Sequence, residues 1–327
     1  MRGMSPLARG AVALGQKVGP GIGLALGLSL VTLGVASAQE EPRVLDTAFG
    51  EVEIQGQPER VVTLYEGALD TSLTAGVTPL GAVATRAAED VADYLKDEVP
   101  DIQIVGTAGE VNVEAVVGLE PDLILASSRL SEDTYALLSQ LAPTVVPATE
   151  GFAPEAWKDE ARLFGRALGH EGEIDRAIET VEARAAELAA TFEAETSQDN
   201  AFLIRWMPQG PLVMSTELFT TGLLAAAGLD VQDDQLVPQG RPHSDPLSLE
   251  ALSRVDGDWL FVATLDANGA EALDQAMQSD AFKRLAVVGN DRVVAVDGQL
   301  WTSASGPIAA QAVLDDIEQA LEGVVTP

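Results

Sequence analysis

The sequence predicts an α/β protein built from two similar halves that are joined by one long α-helix. Continuous apolar strands alternate with helical segments through most of the chain, which is typical of parallel sheets covered by helices on both faces. One short phrase occurs twice, as NVEAVVGLEPDLILA at residues 112–126 and as SLEALSRVDGDWLFV at residues 248–262. Between the two copies, residues 171–195 carry an apolar stripe at helical spacing.

The repeated phrase describes one structural unit. Both copies have Glu at the third position, Ala at the fourth and Asp at the eleventh. In each copy a polar residue precedes an apolar-periodic helix of about two turns, and the Asp leads into a strand of continuous apolar residues. The strands predicted at 123–126 and 259–263 therefore occupy equivalent places in two α/β halves.

The first 38 residues differ from the rest of the chain. Arg2, Arg9 and Lys17 are followed by an uncharged run over residues 18–38 that ends in the letters ASA. A basic start, an apolar middle and a small-residue end predict a secretory signal peptide that is cleaved after residue 38. The alternative is an uncleaved membrane anchor, because the run is just long enough to span a bilayer.

The composition of the exported chain excludes several classes of protein. The chain has no cysteine, so it forms no disulfide and offers no thiolate metal site or thiol nucleophile. It also lacks the cysteine that carries the lipid of a lipoprotein, which predicts a soluble periplasmic protein that is not a lipoprotein. The formal net charge of the full sequence is −32, and a charge of this sign repels nucleic acids and anionic membrane surfaces.

The elements of the first half alternate regularly after an exposed hairpin strand at 49–54. The strands that follow are apolar, which predicts that they are buried. In order, the segments are a strand at 61–64, a helix at 68–75, a strand at 79–84, a surface helix near 90–96, a strand at 102–105, the first copy of the phrase, a helix at 132–141 and a strand at 144–146.

Two helices then separate the halves, the first predicted at 154–168. The second, at 171–195, has Ile174, Val181 and Phe192 on its apolar stripe, and its length predicts a rod of roughly 40 Å. The alternation then resumes with a strand at 202–206, a strand at 212–214, a helix at 217–227, the second copy of the phrase, a helix near 270–278, a strand at 292–296 and a last helix at 307–321.

Arginine residues at the ends of strands are the first candidates for a binding site. Two sheets that face each other across a cleft bind ligands beyond the carboxyl ends of their strands. The guanidinium group suits carboxylates and similar oxygen anions. Arg86, Arg129 and Arg205 lie at predicted strand ends, and Arg241 and His243 share the polar loop QGRPHSDP. The alternative for each arginine is a surface ion pair with one of the 51 carboxylates.

Two aromatic residues and one methionine extend this candidate site. Tyr65 directly follows the strand at 61–64, and Trp301 lies in the loop before the last helix, among small polar residues. Both positions allow a ring to cover a ligand. Met207, which follows Arg205 by two residues, is expected beside the cleft. The alternative for the two rings is core packing at the edge of a sheet.

Three phrases, in this order, resemble the iron-siderophore substrate-binding proteins of bacterial ABC importers: FGEVEIQGQPERVVTLYEGALDTSLTAGVTPLGAV, VGTAGEVNVEAVVGLEPDLILASSRLSED and FKRLAVVGNDRVVAVDGQLWTSASGPIAAQAVLDDIEQAL. The resemblance covers about residues 49–321. It implies the helical-backbone type of periplasmic binding protein, in which one long helix bridges two Rossmann-like lobes. The implied division is a signal peptide at 1–38, a first lobe at 39–168, a bridging helix at 169–197 and a second lobe at 198–327.

The resemblance also implies a function. Such a protein captures a ferric siderophore between its lobes and delivers it to the permease dimer of an ABC transporter in the inner membrane. It is a binding protein and not an enzyme, it has no resident cofactor, and it acts as a monomer. Arg129 and Arg205 match positions at which the family binds carboxylate or hydroxamate oxygens, and Trp301 matches an aromatic position before the last helix. The remaining candidates are Tyr65, Arg86, Met207, Arg241 and His243.

Glu114 and Glu250, the third residues of the two copies, match the family's permease-docking residues. One surface Glu on each lobe meets an Arg of the two-fold permease, so that a pseudo-symmetric pair of acids faces a symmetric pair of bases. The alternative is local, because a carboxylate in the first turn of a helix interacts favourably with the helix dipole.

Three competing functions are less compatible with these residues. A direct metal-ion binder would need several converging histidines and carboxylates, and the chain has only His170 and His243. An exported hydrolase would need a positioned nucleophile and base, but no G-x-S-x-G phrase occurs, and Ser303 and Ser305 have no histidine near them in sequence. A cobalamin or haem binder would share the fold, although several arginines favour an anionic chelate.

Overall fold

The computed structural model describes residues 42–107, 109–148, 152–195 and 198–325, and the signal peptide predicted at 1–38 lies outside the described residues. The described chain begins with an antiparallel hairpin of β1 (Arg43–Thr47) and β2 (Gly50–Ile54). In both strands buried residues, among them Leu45 and Ile54, alternate with exposed ones. One face of the hairpin therefore covers the core.

The first large sheet has six strands and is mostly parallel. Its strands are β3 (Val61–Leu64), β4 (Gly81–Ala84), β5 (Gln103–Thr107), β6 (Glu110–Val111), β7 (Leu123–Ala126) and β8 (Thr144–Val145). The order across the sheet is β6-β5-β4-β3-β7-β8, with β6 antiparallel to β5 and the other pairs parallel. The helices of this half are α1 (Glu66–Thr74), α2 (Asp93–Lys96), α3 (Val113–Gly118), α4 (Glu132–Leu138) and α5 (Ala156–Leu168).

The long helix α6 (Glu171–Glu195) has the bounds that its periodicity predicts. Ile174, Ile178, Val181, Leu188 and Phe192 are buried, which confirms the apolar stripe. At about 1.5 Å of rise per residue, the helix is roughly 37 Å long.

The second large sheet contains β9 (Asn200–Met207), β10 (Gly210–Val213), β11 (Asp230–Val231), β12 (Trp259–Thr264) and β13 (Val293–Asp297). The strand order is β10-β9-β12-β13, and β11 pairs with the start of β9. Its helices are α7 (Phe219–Ala226), a 3-10 helix (Leu249–Val255), α8 (Ala267–Met277), α9 (Asp280–Lys283), α10 (Ala286–Gly289), α11 (Gly298–Thr302) and α12 (Pro307–Val325). None of the helices in the described ranges combines the length and apolar character that a membrane crossing requires.

One apolar core is shared by both sheets. Alternate residues of a strand face opposite sides, and the inner sides, with Leu123 and Leu125 from the first sheet and Leu203 and Phe261 from the second, belong to the same cluster as the buried faces of α5, α6 and α12. The outer sides form separate cores. Fold class is thus as predicted, an α/β protein with a long helix between two sheets. The exact lobe boundaries at 168 and 197 remain a proposal.

The repeated phrase occupies equivalent places in the two sheets. Its eleventh residue accepts hydrogen bonds from the backbone N–H groups at the start of the adjacent parallel strand. Asp122 accepts from Glu59 and Arg60 at 2.9 Å, just before β3, and Asp258 accepts from Asn200 at 3.2 Å, in β9. The shared Asp therefore anchors the register of two neighbouring strands. The helical parts differ, because the first copy forms α3 and the second forms a 3-10 helix.

A buried carboxylate connects the first half to the last helix. Asp70 of α1 is fully buried, and its two oxygens accept the backbone N–H groups of Ile308 and Ala309, at 3.0 and 2.8 Å, in the first turn of α12. Gly306 precedes this turn with φ of +118°, and a Cβ there would meet the Asp70 carboxylate. Burial raises the pKa of Asp70 to about 7, although the two backbone hydrogen bonds oppose that rise.

This burial predicts a pH dependence of stability. The pKa of Asp70 is higher in the folded chain than its ordinary value of 3.8, so the folded state binds the proton more tightly and the free energy of unfolding falls as pH rises from about 4 to about 7. We expect Asp70→Asn to remove this component, so that wild type loses about 3 kcal/mol relative to the variant across that range. Urea unfolding at a series of pH values measures the difference. Parallel profiles for the two proteins would contradict it.

Candidate functional site

The candidate residues gather where the carboxyl ends of the two sheets meet. In the first sheet the chain runs from β3 to β4 and β5 on one side and then to β7 on the other, which makes the gap between β3 and β7 the switch point where α/β sheets bind ligands. Tyr65 follows β3 directly, and Arg129 follows β7 by three residues. Arg86 follows β4 by two residues, and Arg205 lies near the carboxyl end of β9.

Arg205 is a buried cation in the second sheet. It pairs with Leu212 of β10 and Ala263 of β12, and strand alternation places it on the same side as Leu203, which lies in the shared core. Its residue surface is 5% exposed and its buried Nε has no hydrogen-bond partner among the described residues. Burial, together with the positive charge of Arg86, lowers the pKa of Arg205 to about 10. An arginine of the first half is therefore close to an arginine of the second.

Tyr65 lies between the other groups of the site. Burial raises the pKa of its phenol, and the negative charges of Glu160 and Glu66 act in the same direction. The Ser305 hydroxyl and the Arg129 guanidinium act in the opposite direction. The phenol therefore stays protonated and can donate a hydrogen bond. Ser305 precedes α12, so Tyr65 joins groups from the first sheet with a group from the second half.

The three arginines of this site form no ion pairs within the part of the chain that the structure describes. None of Arg86, Arg129 and Arg205 forms an ion pair with a carboxylate of the described ranges. By contrast, Arg184 on α6 binds two carboxylates of α12 at 2.6 Å. Arg129 lies over the ring of Phe152, with 5.6 Å between its Cζ and the ring centroid. In a chain so rich in acids, three unpaired guanidinium groups at one edge provide a site for an anion.

The placement of Trp301 differs from the prediction. Its residue surface is 0% exposed, its ring stacks on Phe261 with 5.1 Å between centroids, and its indole N–H donates to Asp316 of α12 at 2.7 Å. Thr220 of α7 donates to its carbonyl oxygen. The indole is thus part of the shared core, which was the alternative for this residue, and it has no surface with which to cover a ligand.

Arg241 and His243 lie in a loop along the edge strand β10. His243 forms a single antiparallel bridge with Met214, and its Nδ1 lies 2.7 Å from the Ser244 carbonyl oxygen. Arg241 is exposed and pairs with Asp245 at 3.1 Å, so for this arginine the structure shows the surface ion pair. Met207 is half-buried at the end of β9, beyond Arg205, where it can contact a ligand.

Two acidic residues of the site were not among the sequence candidates. Glu66 begins α1 directly after Tyr65, and its Oε1 accepts a hydrogen bond from the Thr85 hydroxyl. Asp297 ends β13 and caps α11 by accepting the N–H of Leu300 at 2.8 Å. Both lie at or just after the end of a strand, and this position is the criterion, here called the strand-end rule, that identified the arginines. Acids are too abundant in this sequence for the rule to single them out.

Glu114 and Glu250 occupy matching places on the surface. Each is exposed and is the second residue of its helix, α3 or the 3-10 helix. An exposed apolar residue stands near each, Val117 with 46% and Leu249 with 37% exposure. The backbone N–H of Glu250, followed by the Ser248 hydroxyl, lowers the pKa of the Glu250 carboxyl. Within the described residues, no group of three or more His, Cys, Asp or Glu side chains could hold a metal ion.

Comparisons with known proteins show similarity over most of the chain. The family model described as "Periplasmic binding protein" matches residues 61–300. The "Probable siderophore-binding lipoprotein YfiY" of Bacillus subtilis is 29% identical over 291 residues, which cover 86% of this chain and 88% of that protein. The crystal structure of Staphylococcus aureus SirA complexed with staphyloferrin B superposes with a TM-score of 0.75 at 28% identity, covering 86% of this chain and 98% of SirA.

The comparisons correct the predicted localisation. YfiY is named as a lipoprotein, and so is a second Bacillus subtilis relative, the "Putative ABC transporter substrate-binding lipoprotein YhfQ". YhfQ is 24% identical over 298 residues, which cover 88% of this chain and 90% of that protein. These names contradict the prediction of a periplasmic protein that is not a lipoprotein. The prediction used the absence of cysteine as its ground, and the names of these relatives overturn it.

The unpaired burial of Arg205 has a measurable effect on stability. We expect Arg205→Met to raise the free energy of unfolding by about 1 to 2 kcal/mol, because a methionine fills a similar volume without a buried charge. Urea unfolding measures the change. The matched control is Arg241→Met in the exposed loop, which should differ from wild type by less than about 0.5 kcal/mol. A less stable Arg205→Met protein would show that the guanidinium holds the fold together.

Proposed function

We propose, from the premise that the chain belongs to the periplasmic binding protein family, that it captures a ferric siderophore and delivers it to an ABC importer for iron uptake. One observation carries the proposal. Arg86 and Arg205 come from opposite halves, influence each other electrostatically, and form no ion pair with a carboxylate among the described residues. Two such cations repel each other, and an anion that binds between them offsets the repulsion. The chain is proposed to bind its ligand and not to transform it.

The chemistry of the cargo fits these groups. A ferric siderophore supplies its own oxygen ligands to the iron, so the protein needs to recognise the outside of a mostly anionic chelate. Guanidinium groups do this with paired hydrogen bonds to carboxylate or hydroxamate oxygens. We assign Arg86 and Arg205 to opposite sides of the chelate and Arg129, with the Tyr65 hydroxyl, to a third position. This modifies the predicted pair of Arg129 and Arg205, because Arg86 is the first-half arginine that acts on Arg205.

The named relatives support the same class of ligand. SirA was crystallised with staphyloferrin B, and YfiY is named as a probable siderophore-binding lipoprotein. The similarity of SirA extends over 86% of this chain, so both halves that face the cleft are included in the comparison. We therefore propose an anionic ferric siderophore as the cargo.

The ligand proposal predicts losses of affinity at three positions. Arg86→Ala, Arg129→Ala and Arg205→Met should each weaken the binding of ferric staphyloferrin B by about 1.5 to 3 kcal/mol, the usual value of a charge-assisted hydrogen bond. Isothermal titration calorimetry measures the affinities, with Arg241→Ala as a control outside the arginine group. Unchanged affinity in all three variants would remove the anion site. Binding of cyanocobalamin or haem in place of ferric chelates would favour the other cargo of this fold.

Delivery requires a second surface. We propose that Glu114 and Glu250 dock on the permease dimer, because they are exposed, belong to the two copies of one phrase, and occupy the same position in their helices. The two copies lead into β7 and β12, equivalent strands of the two sheets. Two acids related in this way can meet two equivalent basic residues of a symmetric partner.

Charge reversal separates docking from binding. The double variant Glu114→Arg and Glu250→Arg should bind the ferric chelate with wild-type affinity, because both residues lie outside the cleft, and should fail to support uptake of radioactive iron by cells that lack other binding proteins. The control reverses two exposed acids of α6, Glu179 and Glu187, and should leave uptake unchanged. Normal uptake with the docking variant would contradict the proposal.

A further inference from the structure

Glu66 is an acidic residue close to Arg86, one of the three arginines of the site. It is half-buried, begins α1, and accepts a hydrogen bond from Thr85 at the end of β4. Arg86 is the next residue after Thr85. From the second half, the carboxylate of Asp297 acts on Glu66 across the gap between the sheets. Glu66 therefore lies close to Arg86 of the first half and to Asp297 of the second.

The groups around Glu66 favour its neutral form. Burial raises the pKa of Glu66, and the negative charge of Asp297 adds to this rise, while the Thr85 hydroxyl and the Arg86 charge oppose it. Farther from Glu66 lie Arg205 next to Arg86, Arg129 and Glu160 next to Tyr65, and Tyr94 of α2 next to Asp70. The hydroxyl of Thr85 can donate to the carboxylate or accept from the protonated acid, so the hydrogen bond persists in both forms.

An anion bound by Arg86 changes this balance. Its negative charge lies close to Glu66 and weakens the influence of Arg86 on the carboxyl, and both effects favour the protonated form. Binding and protonation then assist each other, because any coupling between two ligands is reciprocal. An ionised Glu66 repels the same chelate that the arginines attract.

We propose, resting on the proposed function, that Glu66 couples siderophore binding to the uptake of a proton and thereby sets how many negative charges the cleft accepts. The neutral acid accompanies the bound chelate, and the carboxylate opposes it. Affinity for the anionic chelate consequently falls as pH rises through the titration of Glu66, by at most about tenfold per pH unit for one full proton. Glu66 acts as a specificity-determining residue in this scheme.

Calorimetry tests the coupling on the intact protein. Wild type is titrated with ferric staphyloferrin B at about pH 6, 7 and 8, each in two buffers that differ in their heat of ionisation, so that the number of protons taken up follows from the difference in heat. We expect uptake of part of a proton, up to about one. Glu66→Gln should take up fewer protons and should bind about three- to tenfold more tightly than wild type at about pH 8, because glutamine stays neutral.

Each outcome bears on the coupling. The ligand is the same for every protein, so its own titration cancels in the comparison, and Glu187→Gln, which removes an exposed acid of α6, should keep the wild-type proton uptake. Wild-type binding without proton uptake, or Glu66→Gln binding with undiminished uptake, would overturn the inference and leave the proposed function standing. A uniform loss of affinity at every pH would assign Glu66 a structural role and overturn it too. No wild-type binding at any pH would overturn both.

Discussion

The apolar core shared by the two sheets is the constraint on which the rest of the structure depends. The inner sides of both sheets pack against α5, α6 and α12, and close-packed cores do not deform continuously. The carboxyl ends of the two sheets are therefore held at one relative position. Asp70 of α1 reinforces this arrangement, because its carboxyl group accepts two backbone hydrogen bonds from the first turn of α12. The position of Arg205 within β9 is thus decided by packing behind the cleft, whereas Arg86 lies in the loop that follows β4.

The same packing explains how an unfavourable charge is retained. Arg205 is buried without an acidic partner among the described residues, whereas Arg184 outside the cleft has two. A buried, uncompensated charge destabilises a fold, and proteins keep such groups mainly where activity needs them. An arginine already desolvated before the ligand arrives also forms a stronger hydrogen bond with an anion than an exposed one does. If Arg205 binds the ligand as proposed, stability and recognition are opposed at this residue.

The sequence predicted the order of the elements because local patterns determine it. Continuous apolar strands, one uninterrupted helical stripe and the repeated Asp identified both sheets and α6, and the strand-end rule found Arg86, Arg129 and Arg205. Contacts between distant residues were not accessible in this way. The polar neighbours of Trp301 suggested exposure, but Asp316 and Phe261 supply its partners from another helix and another strand. The closeness of Arg86 to Arg205 likewise depends on how the halves pack.

The two halves are alike at the amino ends of their strands and unlike at the carboxyl ends. Asp122 and Asp258 accept backbone hydrogen bonds at the amino ends of neighbouring strands in the same way, so the two halves share one structural device there. At the carboxyl ends of the strands, the first half contributes Tyr65, Glu66, Arg86 and Arg129 to the candidate site. The second half contributes Arg205 and Asp297. Because most cationic groups belong to the first half, an anionic chelate would lie closer to that half, with Arg205 opposing it from the second. With the docking residues that we propose at Glu114 and Glu250, the protein would then present a symmetric surface to its partner and carry its cargo asymmetrically.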